Sequence, residues 1–88
     1  MDRVTDPEPT GPSVLVVDDE HSIVDAVATA LRYEGFDVAT AINGRAALSA
    51  VQEGRFDLVV LDVMMPGLDG FAVAERMRAD GIETPVLF

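Results

Sequence analysis

Cysteine and lysine are both absent from the 88 residues. Without cysteine there is no disulfide, no thiolate nucleophile and no Cys-based zinc site. That absence fits a reducing compartment. The basic residues number 6, all of them arginine, against 16 Asp and Glu, for a formal net charge of −10. Phosphate backbones are held by clusters of Lys and Arg, so direct nucleic-acid contact by this segment is not expected. Tryptophan is missing too, and histidine and tyrosine occur once each, as His21 and Tyr33. The start, Met1-Asp2-Arg3-Val4-Thr5-Asp6, lacks a basic region followed by an apolar stretch. No signal peptide, spanning segment or membrane association is expected.

What is present is an apolar fraction of 49%, enough for one hydrophobic core. A chain this short holds at most one domain. Pro7, Pro9, Gly11 and Pro12 fall among polar residues, so residues 1–12 read as a disordered tail. From Ser13 onward, short apolar runs alternate with amphipathic stretches. The strands are expected at Ser13–Val17, Asp37–Ala41, Leu58–Leu61 and Pro85–Phe88. The helices are expected at about Glu20–Glu34, Gly44–Glu53 and Gly70–Ala79. Ile23, Val27 and Leu31, joined by Val24 and Ala28, give the first helix its buried face. Phe71, Ala74 and Met77, with Val73, do so for the third. Asn43 and Asp69 are expected caps, and Gly35, Gly54 and Gly81 expected stops. Alternation β-α-β-α-β-α-β with short loops means an α/β domain, a doubly wound parallel sheet with helices on both faces.

Two apolar runs end on acids. Val14-Leu15-Val16-Val17 runs into Asp18-Asp19-Glu20, and Leu58-Val59-Val60-Leu61 runs into Asp62. Fully buried parallel strands would release Asp18, Asp19 and Asp62 at one carboxyl edge, where open α/β sheets bind ligands. Like charges held close are costly unless a cation or protons neutralise them. Mg²⁺ suits such a set, because it takes one or two carboxylates, keeps waters and shares a phosphate. The Arg residues form no cluster and read as solvated. Met64 and Met65 read as apolar loop packing, and His21 as an exposed helix residue.

Val-Val-Asp-Asp-Glu, followed by Leu-Asp-Val-Met-Met-Pro-Gly-Leu-Asp-Gly, resembles a response-regulator receiver domain over Ser13 to Phe88. The likeness is greatest to the branch with winged-helix DNA-binding output domains. The resemblance implies a flavodoxin-like fold in a cytoplasmic two-component system controlling transcription. It implies that Asp62 accepts a phosphoryl group from a phosphohistidine of a sensor histidine kinase. Asp19 would be a direct Mg²⁺ ligand, Asp18 would act largely through water, and Asp62 and the Met64 main-chain carbonyl would complete the protein ligands. The kinase would dock against the first helix, near His21 and Ser22. Such a module is a regulatory phospho-acceptor and not an enzyme.

Receivers have five strands and five helices, so the resemblance makes residues 13–88 an incomplete receiver. The fourth helix, fifth strand and fifth helix have no counterpart. Nor do the Ser or Thr expected after strand four and the Lys expected after strand five, so phosphorylation of these 88 residues alone is expected to be slow or absent. The open edge of the fourth strand is expected to invite self-association. Two other readings exist: an Mg²⁺-dependent phosphatase of the haloacid-dehalogenase type, and a degenerate receiver that only mediates interactions. The phosphatase family wants Asp-x-Asp after its first strand, whereas here the acids are adjacent.

Overall fold

The computed structural model describes residues 11–88. The expected tail therefore lies outside the described residues, except at Gly11 and Pro12. Pro12 already serves the sheet, since its carbonyl accepts from Asp37 N at 2.9 Å. Four parallel strands, β1 (Ser13–Val17), β2 (Asp37–Ala41), β3 (Leu58–Leu61) and β4 (Val86–Leu87), lie in the order β2-β1-β3-β4. Between them run α1 (His21–Tyr33), α2 (Gly44–Glu53) and α3 (Gly70–Ala79). The order reverses direction beside β1, which makes the β1/β3 junction a topological switch point.

Period-two alternation sends the residues of β1 to two separate cores. Leu15 and Val17 join Ala41, Val59 and Leu61 under α2 and α3, where Ala47, Val51, Met65, Val73 and Met77 close over them. Val14 and Val16 face the other way and meet Val38 and Ala28 of α1. Leu58 and Val60 only flank this second cluster and stay half-buried. β3 is therefore not buried on both faces as its apolar run suggests. α1 lies over β1 and β2 and leaves that side of β3 part-exposed.

Side-chain caps fix two helix starts where the sequence places them. Asn43 accepts from Ala46 N at 2.7 Å, and Asp69 accepts from Ala72 N at 2.9 Å. α1 departs from expectation. Glu20 is not in its first turn but precedes it, extended at φ −98° and ψ 114°, and its side chain caps nothing. Neither Asp18 nor Asp19 caps this helix either: Asp18 Oδ1 holds the Glu20 amide at 3.0 Å. The buried face of α1 is centred on Val24 and Ala28, while Ile23 is turned out.

In α3 the inward face is Gly70, Val73 and Met77. Phe71 is 60% exposed and stacks on Phe88, with ring centroids 4.9 Å apart and planes tilted by 55°. The cause lies at Gly70. A Cβ there would stand 2.4 Å from the Asp62 carbonyl oxygen and 2.9 Å from Val63 Cα. Only glycine lets α3 come this close to the end of β3, and the neighbouring residue is thereby turned about 100° away.

Two arginines are more than solvated. Arg32 donates to the Val38 carbonyl on the outer strand β2 at 3.0 Å. Arg78 donates to the carbonyls of Ile82 and Thr84 at 2.7 and 3.0 Å, binding the loop into β4. β4 itself is shorter than the expected Pro85–Phe88, although the Pro85 carbonyl still accepts from Val59 N at 2.9 Å. Val86 packs on the larger core, while Leu87 and Phe88 remain exposed.

Candidate functional site

The sheet register builds the site. Val17 pairs with Leu61 across β1 and β3, so the next residues, Asp18 and Asp62, emerge level with each other. One ladder bond beyond the strands holds each in place: Asp62 N donates to the Val17 carbonyl at 3.0 Å, and Asp18 N to the Ala41 carbonyl at 3.2 Å. One carboxylate oxygen from each of Asp18, Asp19 and Asp62 lies within 4.8 Å of the others. None of the three is buried. The structure thus brings together all three acids that the sequence singles out.

Their neighbours set the loop. Met64 N donates to Asp62 Oδ1 at 3.2 Å, and the amides of Met65 and Gly70 donate to the Val63 carbonyl at 3.2 and 3.1 Å. Pro66 followed by Gly67 at φ +75° gives the type II turn pattern. The two methionines part company. Met65 is buried at 6% exposure and anchors the loop in the larger core, whereas Met64 is 82% exposed. Beside the acids lies an open groove of about 660 Å³, lined by Asp19, Met64, Met65, Pro66, Asp69 and Phe71 among others. His21 and Ser22 are exposed at the start of α1.

The donor set fits a hard divalent cation. Octahedral Mg²⁺ with oxygens at about 2.1 Å spaces its ligands by about 3 Å for neighbours and about 4.2 Å across the ion. Three oxygens within 4.8 Å need only small side-chain rotations, or an intervening water, to meet that demand. The site features that sequence reasoning missed are the Met64 amide on Asp62 and the glycine that seats α3 against the Asp62 main chain. The Asp-Gly pair at 69–70 was the available signal, since a glycine directly after a cap often marks close backbone approach.

Residues 14–88 match the family model described as the response regulator receiver domain. The transcriptional regulatory protein TcrA of Mycobacterium tuberculosis is 49% identical over 78 residues, covering 89% of this chain and 31% of that protein. Transcriptional regulatory protein DltR of Streptococcus agalactiae is 41% identical over 75 residues, covering 85% and 34%. The chain thus spans about a third of the length of the curated relatives it matches. Among solved structures, the receiver domain of a Francisella response regulator superposes with a TM-score of 0.83 at 37% identity, covering 86% of this chain and 63% of that one. The response regulator TrrA of Thermotoga maritima, solved in complex with Mg²⁺-BeF, superposes at 0.80 with 39% identity, covering 85% and 65%. With the match running from Val14 to the last residue, the chain belongs to the response-regulator receiver family.

Proposed function

We propose that this receiver module takes a phosphoryl group from a sensor histidine kinase onto Asp62, and that Asp18, Asp19, Asp62 and the Met64 main-chain carbonyl would hold Mg²⁺ for the transfer. The observation that carries the reading is the strand-end position of Asp62, level with Asp18 and within 4.8 Å of both other acids. An Asp62 carboxylate oxygen attacks phosphorus in line, forming the new O–P bond as the P–N bond of the phosphohistidine breaks. Mg²⁺, when bound, gathers the charge on the phosphoryl oxygens. Asp19 would be its direct ligand and Asp18 would act largely through water. The Met64 amide fixes one Asp62 oxygen at 3.2 Å, leaving the other as the attacking atom.

The module is regulatory and not a turnover enzyme in this reading. It works in the cytoplasm, with the kinase docking by His21 and Ser22 and a transcriptional output controlled elsewhere in the regulator. Residues 13–88 form the receiver part. Among the described residues no helix is long and apolar enough to cross a membrane. The exposed Leu87 and Phe88 at the end of β4 are where self-association would start.

Incubation with a small acyl phosphate and Mg²⁺, read by intact mass, tests the proposal. The chain extended through a fifth strand and fifth helix should gain one phosphoryl group, and Asp62→Ala should gain none. Full labelling of Asp62→Ala moves the site elsewhere. Steady phosphatase turnover with release of inorganic phosphate supports the haloacid-dehalogenase reading instead.

A further inference from the structure

We propose that Met64 is a peroxide-sensitive site whose oxidation gives the acid-lined groove an additional hard oxygen donor. The three methionines of the described residues differ sharply: Met64 is 82% exposed, Met65 is 6% and Met77 is 0%. Thioether oxidation follows access, so Met64 reacts and the other two are shielded. Met64 also stands at a chemically consequential place. Its amide holds Asp62 Oδ1, and it lines the same groove as Asp19.

The step balances without a further reagent. The Met64 sulfur lone pair attacks one peroxide oxygen, an S–O bond forms and the O–O bond breaks. The departing hydroxide takes up the remaining proton as water. Sulfur is oxidised by two electrons and the peroxide is reduced. A soft sulfur that hard cations ignore is replaced by a polar oxygen of the kind Mg²⁺ accepts. In the groove it shares with Asp19, that oxygen would be one more hard donor for the ion. The unbranched, exposed side chain has the freedom to turn toward Asp19. Reductases that act on methionine sulfoxide would reverse the change.

The inference rests on the Mg²⁺ reading above, and its test separates the two. The 88-residue chain is treated with dilute hydrogen peroxide and mapped by peptide mass. Mg²⁺ is then titrated against treated and untreated protein with a thermal-shift readout. Met64 should gain one oxygen well before Met65 and Met77, and the Mg²⁺ midpoint of the oxidised chain should fall by about twofold or more. Met64→Leu, treated in the same way, should keep the midpoint of its untreated form. Oxidation of Met65 or Met77 at the rate of Met64 overturns the proposal, as does an unchanged or higher midpoint. If untreated protein shows no Mg²⁺ response, the Mg²⁺ reading fails, and with it the claim of an added donor. The order of oxidation then decides the reactive site alone.

Discussion

The two faces of the sheet are built from the same strands and differ in how far they are covered. On one, Leu15, Val59 and Leu61 are sealed beneath α2 and α3 at 1% exposure or less. On the other, Val14 and Val16 are sealed by α1, but Leu58 and Val60 on the adjoining strand are half-exposed. One helix is about 10 Å wide, and strands are spaced by about 4.8 Å. A single helix over β1 and β2 therefore stops short of β3. The closed face supplies rigidity to the loop that carries Asp62, through Met65 and Gly70.

Paired substitutions of the same residue type measure this contrast. Leu15→Ala should cost about 2–5 kcal/mol, as deletion in a sealed core does, while Leu58→Ala should cost well under 2 kcal/mol. Denaturant unfolding gives both values, and equal losses would erase the distinction between the faces. A charge at the exposed end of β4 probes the same asymmetry through assembly. Sedimentation should show the 88-residue chain associating, and Leu87→Lys should shift it toward monomer. Monodisperse protein before the substitution would mean that the open side recruits nothing.

Gly70→Ala acts on the closed face alone. The new Cβ meets backbone and not a side chain that could yield. A loss of about 1–3 kcal/mol is expected, and the Mg²⁺-dependent rise in melting temperature should shrink with it, because α3 can no longer seat against Asp62. Retention of the full Mg²⁺ response would uncouple the helix from the site. Asp19→Asn should leave basal stability within about 0.5 kcal/mol but abolish that response. The smallest expected effect is Ile23→Ala on the outward side of α1, again within about 0.5 kcal/mol, and thermal melting at matched concentration measures it.

The acid site was legible in the sequence because strand periodicity and chain order decide it together. Two apolar runs of equal length, each ending on Asp, leave little freedom once the strands are parallel neighbours. Helix boundaries at Asn43 and Asp69 were legible for a similar reason: a side chain three residues from an amide is a local matter. Rotation of a helix about its axis is not local. Ile23 and Phe71 both fit an apolar stripe by spacing, yet both turn outward. In α1 the apolar arc is wider than the surface the sheet offers, and the sequence does not say which part of it wins. In α3 the choice is made by a missing Cβ at Gly70. The bonds from Arg32 and Arg78 to main-chain carbonyls depend on loop paths that no residue pattern encodes. The opposite fates of Met64 and Met65, adjacent and chemically identical, follow from the direction in which the loop leaves β3.

The amino end of the β1/β3 seam is latched in both directions. Ser13 N donates to Asp57 Oδ2 at 2.7 Å, and Asp57 N donates to the Ser13 carbonyl at 2.7 Å. The far end of the same seam finishes on two carboxylates that repel each other. Local opening of the sheet is therefore directional. Amide hydrogen exchange should be fastest at Asp18 and Asp62 and slow progressively toward Leu58. If Mg²⁺ binds at the acids as proposed, exchange at Asp18 and Asp62 should slow and the gradient along the seam should flatten. The strands as well as the loop would then report occupancy of the acid site.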